Sequence, residues 1–453
     1  MRKILLIGLL SLLVSPSFAA RPIAAWDVVP YQRVNGTFKV GVVAFHDKAV
    51  KVEFSINGRK FGKAVEAISL NERTNVEEYF FSFPAGKFSE RLGDREFTIG
   101  ANVIVDGESS YQLSPLTIYA NGRGTLGSKN VVWVDSESGN EFASGEKNYP
   151  VKTLARAVKL AGDGGTIYLN KGSYSIKLLG GGVDRKYWTK ITTAPGVDSN
   201  LVKVYGGRPG TDKLHFKGLN FICDYDVGEY GSIVFGEGGK TSAWFEDCTF
   251  TNLKGKAAGE AYPFSNKLVA YVTGGTTSEM MFGPDAVLLR NHNIKSVVTK
   301  ALPGDNALVV NCNIEDIGSS DATSSDFITA SAIAPNWFEN LIVYGLKTSN
   351  LSCRIFTLRR VRNSAFVKLC FDDVSVQGAY SSVADFIENV LFFNVSLPNQ
   401  ELKFALSNDG RGDFKPVNVI MKNCNLGILK GCVSYDGSNG FDLRDSKYKS
   451  IIK

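Results

Sequence analysis

Histidine is scarce: His46, His215 and His292 are the three in 453 residues. None is flanked by glycines and no two have metal-ligand spacing, so histidine-based acid–base or zinc chemistry has little support. The seven cysteines, Cys223, Cys248, Cys312, Cys353, Cys370, Cys424 and Cys432, all fall in the second half and contain no CxxC pair. That spacing argues against a zinc site. An excess of one charge is also missing. The net charge is +6, or +4 without Arg2 and Lys3, and no basic run stands out, so nucleic acid is not an expected partner. Proline is low at 14, and no segment after the N-terminus is apolar enough to span a bilayer as a helix. A phosphate-cradling glycine loop, a serine elbow and a metal-spaced histidine pair are all absent from the sequence.

The length favours two domains, and 46 glycines indicate many tight turns. Residues 1–19 read as a secretory signal: Arg2 and Lys3 precede the apolar run Ile4–Val14, and "PSFAA" offers small residues for cleavage. Export places the mature protein in the periplasm, at the cell surface or outside the cell.

Residues 21–121 read as short alternating strands separated by Gly, Asn and Asp turns. The clearest are Phe38–Phe45, Val50–Gly58, Glu77–Phe83, Arg95–Gly107 and Tyr111–Ala120. About seven such strands in a hundred residues predict a β-sandwich. "VEFSINGR" followed by "FTIGANVIVDGESS" resembles bacterial immunoglobulin-like modules, which implies a spacing or binding role.

Beyond the Gly-rich stretch Asn121–Asn130 the pattern changes. Leu154, Ala157, Val158 and Ala161 recur at helical spacing, predicting a short amphipathic helix over Thr153–Ala161, stopped by Asp163–Gly165. Then one phrase recurs eight times: apolar, any, Asn/Asp/Gly, any, any, apolar. Its third residues are Gly218, Asp247, Asn291, Asn311, Asn340, Asn363, Asn389 and Asn423. They are separated by 29, 44, 20, 29, 23, 26 and 34 residues, so one coil is hidden in the longest interval. Such a repeat predicts a solenoid with roughly one coil per 25 residues. Asn and Asp tolerate the left-handed conformation that a sharp corner demands, and stacked corners form a ladder. The residue after each corner points inward, which makes Cys248, Cys312 and Cys424 buried thiols and His292 a packed core histidine. The residue before it points outward, giving a solvated face with Lys217, Glu246, Arg290, Glu339, Arg362, Glu388 and Lys422.

The order strand, polar loop, capping helix, "GDGGTIYLNKGSY" and then the Asn phrase resembles right-handed parallel β-helix proteins of the pectate-lyase-like superfamily. The expected architecture is all-β: an immunoglobulin-like β-sandwich over 21–121 and a right-handed parallel β-helix over 131–453, in a monomer. Polygalacturonases of that superfamily carry Asn-x-Asp, Asp-Asp, Gly-His-Gly and Arg-x-Lys in order; here only Asp372-Asp373 is present.

About fourteen residues past successive corners stand Asp305, Asp326, Arg354, Gln377 and Lys403, with the phrases "DNAL", "DFIT", "RIFT" and "KFAL" at four of them. In register they form one charged stripe, with Asp326 and Arg354 neighbours on adjacent coils. Lyases of this superfamily use such a stripe, and the resemblance implies roles. Arg354 or Lys403 takes the proton α to a uronate carboxyl, with Asp326 beside them. Asp305, Asp321 and Asp326 offer oxygen ligands for calcium. The ordinary alternative is a solvated face of ion pairs. Further polar groups are Asp224, Asp226 and Glu229, then Glu315 and Asp316, and Arg359, Arg360 and Arg362. Tyr262, Phe264, Tyr271 and Phe282 are aromatics able to stack on sugar rings or pack on the helix. The functional expectation is a lyase or hydrolase of an acidic extracellular polysaccharide. The competing one is a non-catalytic glycan-binding or surface-adhesion protein.

Overall fold

The structure is a computed structural model. It describes residues 20–442 except 89–93, 122–129, 177–178, 180–184, 206–211, 224–240, 253–267, 279–285, 298–305, 318–325, 332–335, 352–353, 372–381, 397–403, 407–416 and 425–440. Among the described residues no helix is long and apolar enough to cross a membrane.

The N-terminal module is two facing sheets. One has the order Ile23–Trp26, Thr37–Phe45, Val76–Pro84, Ser69–Asn71, all antiparallel. The other orders Arg33–Val34, Leu116–Asn121, Asp94–Val105, Val50–Ile56 and Arg59–Lys60. Val50–Ile56 alternates strictly between buried and partly exposed positions, as a strand with one face on a core must. Val42, Val52, Phe54, Phe83, Phe97, Ile99 and Ile118 fill the space between the sheets. The predicted strand Tyr111–Ala120 is two pieces, Tyr111–Gln112 and Leu116–Asn121. Pro115 lies between them and has no N–H to give a ladder.

From Val131 the chain forms a 24-stranded parallel sheet system that winds as a β-helix. Helix Leu154–Ala161 covers its start, burying Leu154, Ala157, Val158 and Ala161. Thr153 caps the helix by accepting from the Arg156 N–H, and Gly162, at φ 61°, ends it one residue before the predicted stop.

All eight predicted corner residues have positive φ, between 50° and 63°. They are not one column, however. Backbone bonds such as Asp247 N–H to Thr273 O, Asn291 N–H to Val310 O and Asn311 N–H to Tyr344 O define a first ladder. It runs Gly218, Asp247, Gly274, Asn291, Asn311, Gly345, Lys368, Asn394, Asn423. Asn340, Asn363 and Asn389 belong to a second ladder with Asn306 and Asn418, five residues earlier in each coil. Gly274 is the coil hidden in the 44-residue interval. The second ladder bonds to itself: Asn340 Nδ2–H donates to Asn306 Oδ1 (2.7 Å), Asn389 to Asn363 (2.9 Å) and Asn418 to Asn389 (2.8 Å).

The residue after each corner is buried in both ladders, except Gly275, which is half-buried. Cys248, Cys312 and Cys424 are free thiols whose Sγ–H groups meet carbonyls of the preceding coil, Phe216, Leu289 and Phe392. Burial pushes them up to about 12, 12 and 11, so they stay protonated and inert. His292 is a satisfied core histidine. Its Nδ1 lies 2.7 Å from Gly274 O and its Nε2 2.7 Å from Thr277 Oγ1, and burial lowers its pKa to about 4.

The outward face departs from expectation. From the cluster of Trp188, Trp244 and Tyr271 onward it is covered by the N-terminal module. Leu288, Leu308, Ile342, Ala365, Leu391 and Ile420 form one outward line, in register coil by coil. They pack with Ile23, Val29, Val43 and Val76 of the module in a core of their own. Polar contacts rim that core. Trp188 Nε1–H donates to Pro30 O (2.6 Å), Asn291 Nδ2–H to Thr74 O (2.8 Å) and Asn389 Nδ2–H to Arg21 O (2.9 Å). Arg290, expected in solvent, is instead buried on Asp27.

Around that contact Asp27, Glu78 and Arg290 form a buried cluster with Asn71 and Thr74, and the exposed Arg73 donates to the Asp27 carbonyl at its rim. Burial raises the carboxyl of Glu78 to about 8, and the Asp27 charge adds to it. An unfolded glutamate ionises near 4.5. The folded state therefore holds the extra proton between these values, and the stabilisation is complete below 4.5 and lost as pH rises through 8. The expected result is a thermal midpoint that falls from pH 5 to pH 8. Glu78→Gln flattens that fall, as differential scanning calorimetry across the range reads directly.

Candidate functional site

The predicted charged stripe lies on a third line of the β-helix. Strand Asp326–Ser331 pairs with the start of Arg354–Phe371, which pairs with the start of Ser382–Ser396, which pairs with Phe404–Leu406. The register sets Asp326 opposite Arg354, Ile328 opposite Phe356 and Ala330 opposite Leu358. Phe356 and Leu358 are fully buried, so the sheet is anchored by core packing. Asp326 and Arg354 each open their strand, at the same end of the sheet, one coil apart. At the other end Ser331, Arg359 and Asp385 share one line. Asp305, Asp321 and Lys403 lie outside the described residues, as do Asp224, Asp226, Glu229, Tyr262, Phe264 and Phe282. Among the described residues no group of three His, Cys, Asp or Glu side chains is placed to hold a metal ion.

Several other sequence candidates are engaged structurally. Arg360 lies 5.1 Å over the Trp337 ring and donates to Asn336 O, while Arg362 pairs with Glu339 on the preceding coil. Glu315 accepts from Asn313 Nδ2–H at 2.9 Å. Tyr271 packs edge-on to Trp188 at the junction with the N-terminal module, 6.0 Å between ring centres.

A second polar cluster went unread in the sequence. On the outward face of the first coils, Lys190, His215, Trp244 and Tyr271 form one register line, and Thr192, Lys217, Glu246 and Thr273 the next. His215 stacks on Trp244 at 3.8 Å and 7°, and its Nε2 lies 2.8 Å from Glu246 Oε2. Lys217 Nζ–H donates to Glu246 Oε1, also at 2.8 Å. Burial opposes ionisation of Glu246, yet the bonds from His215 and Lys217 hold its pKa well below the usual range. Lys217 and Glu246 were legible as outward charges, but their pairing with His215 needs the coil register.

No protein-family model matches the sequence, and no curated protein matches it. Among solved structures the chain is similar to a Yersinia enterocolitica family 28 exopolygalacturonase. Identity there is 11%, over 81% of this chain and 98% of that one, with a TM-score of 0.25. It is also similar to a rhamnogalacturonan lyase, 13% identical over 66% of this chain and 75% of that one, with a TM-score of 0.22. Likenesses of this size carry no argument about activity.

Proposed function

We propose that this is an exported β-helix protein that acts on an acidic extracellular polysaccharide, by β-elimination at the Asp326–Arg354 end of the third sheet line. The observation that supports this reading is the register that sets an acid and a base opposite one another on adjacent coils. In the proposed step Arg354, or Lys403, takes the proton α to a uronate carboxyl. The electron pair left behind forms the ring double bond as the glycosidic C–O bond breaks, and the departing oxygen takes a proton from solvent. Calcium, when bound by Asp326 with Asp305 and Asp321, supplies charge stabilisation of the substrate carboxylate.

The test incubates the mature protein with a panel of uronate polysaccharides, with and without calcium, and follows the ultraviolet absorbance of the unsaturated product. Arg354→Ala runs alongside. A rise abolished by the substitution is expected, because removing a proton-transfer group costs about a hundredfold or more. A rise that persists in the variant moves the site elsewhere. No rise on any polymer favours the non-catalytic glycan-binding reading.

A further inference from the structure

The first coils meet the N-terminal module at Lys186, Tyr187, Trp188 and Lys213, and beside those contacts they carry a partly exposed outward surface. One register line there runs Trp133, Tyr168, Thr192, Lys217, Glu246. At the strand spacing of a parallel sheet its four steps span roughly 19 Å along the axis. Trp133 and Tyr168 are partly exposed, with ring centres 5.0 Å apart, and Lys147 lies 5.4 Å over the Trp133 ring. The neighbouring loop adds Tyr149, 66% exposed, held beside the Trp133 strand by the bonds from Gly145 and Val151.

Lys190 lies on the adjacent line, one residue pair from Thr192 and beside His215. Its strand neighbours are Thr166 and His215, so no carboxylate stands opposite it in register. Among the described residues its ammonium makes no hydrogen bond or ion pair, although it is half-buried. Glu246, the acid that faces this region, is already taken by Lys217 and His215. Burial first, and then the Lys217 charge, push the pKa of Lys190 down, and the Glu246 charge nearby only partly offsets them. The line is closed at its far end by Trp188, Trp244 and Tyr271, where the module begins.

From this geometry we infer that Trp133, Tyr168 and Lys190 form a binding track for an anionic sugar chain, separate from the Asp326–Arg354 line. The apolar face of a sugar ring packs on an aromatic ring, and the hydroxyls and carboxylate at its edge need polar partners. Trp133 and Tyr168 supply the rings in sequence along the axis. Lys190, and Lys147 over Trp133, supply the charge, which selects a uronate over a neutral sugar. The track runs along the helix axis on a rigid sheet, so it suits an extended chain rather than a compact ligand. It binds without any role for Arg354.

The experiment titrates the full mature chain with a linear galacturonate tetrasaccharide and with its methyl-esterified counterpart, by calorimetry at moderate salt. Lys190→Met keeps the aliphatic stem and removes the charge, and is expected to weaken binding of the acidic oligomer roughly tenfold or more. Tyr168→Ala weakens both oligomers, and the methyl ester binds the unaltered protein as poorly as the acid binds Lys190→Met. The titration is repeated in an Arg354→Ala background, where Lys190→Met is expected to weaken binding by the same factor, so loss of the catalytic reading and loss of the track are separable. Equal affinity in Lys190→Met and the parent, or no binding of the acidic oligomer, overturns the proposal. A Lys190→Met change that has no effect in the Arg354→Ala background assigns the sugar to the third sheet line and overturns the proposal too. Unchanged thermal midpoints in the variants confirm that the fold is intact.

Discussion

Arg290→Ala is expected to lower stability by about 3 to 5 kcal/mol, the usual cost of stripping the partner from a buried charge. Asp27 is wholly buried, and Arg290 meets both its carboxylate and its main-chain carbonyl. The second carboxylate oxygen of Asp27 already has no partner. With the guanidinium gone, that carboxyl must take up a proton or let water into the seam between module and β-helix. Burial raises its pKa even in the intact protein, with Arg290 the largest opposing influence, so the proton is the easier route. Urea unfolding at neutral pH measures the loss. The double variant Asp27→Asn, Arg290→Met separates charge from shape. It removes both ions at similar volume and is expected to recover most of the loss. A single-variant loss under about 1 kcal/mol would show that water already reaches the pair.

The second large effect comes from the corner ladder. Gly275→Ala is expected to cost about 3 kcal/mol or more. Its φ of 82° is a conformation that L-residues adopt at about 1 to 2 kcal/mol. A Cβ there would also sit 2.1 Å from the Cys248 carbonyl oxygen and 2.8 Å from its nitrogen, both main-chain atoms of the preceding coil. No side-chain rotation relieves that contact, so two coils must separate, which adds a further overpacking cost of about 1 to 3 kcal/mol. Gly218 provides the control. Its φ is 63°, and nothing lies within 4 Å of an added Cβ. Gly218→Ala should lose only the backbone part, and Gly218→Asn should be nearly neutral because Asn suits the ladder. Chemical denaturation of the three variants gives the order. Equal losses for Gly275→Ala and Gly218→Ala would show that coil spacing adapts.

The fold was largely legible because its constraint is local. Each corner needs a left-handed residue, and Asn or Asp announces it in a fixed apolar frame. The same property hid the second ladder. Asn340, Asn363 and Asn389 satisfy the same phrase as Asn311, and only the hydrogen-bonded register separates lines five residues apart. Gly274 was hidden because glycine turns corners without the frame. Covering of the outward face was less legible, although a signal existed. Leu308–Val310 and Ile342–Tyr344 are apolar at every position, where a half-solvated strand should alternate. The count past each corner set Asp326 opposite Arg354 although it began from corners of different ladders, Asn311 and Asn340. The track at Lys190 did not follow from any count, because it joins strands whose register no sequence spacing encodes.

The docking of the module also has a consequence for synthesis. Asp27 and Arg290 are 263 residues apart in the chain. At about 5 to 20 residues per second, the partner surface leaves the ribosome roughly 13 to 50 s after the module itself. Throughout that interval Ile23, Val29, Val43 and Val76 have nothing to cover them, and a nascent chain in this state is a natural client for a chaperone.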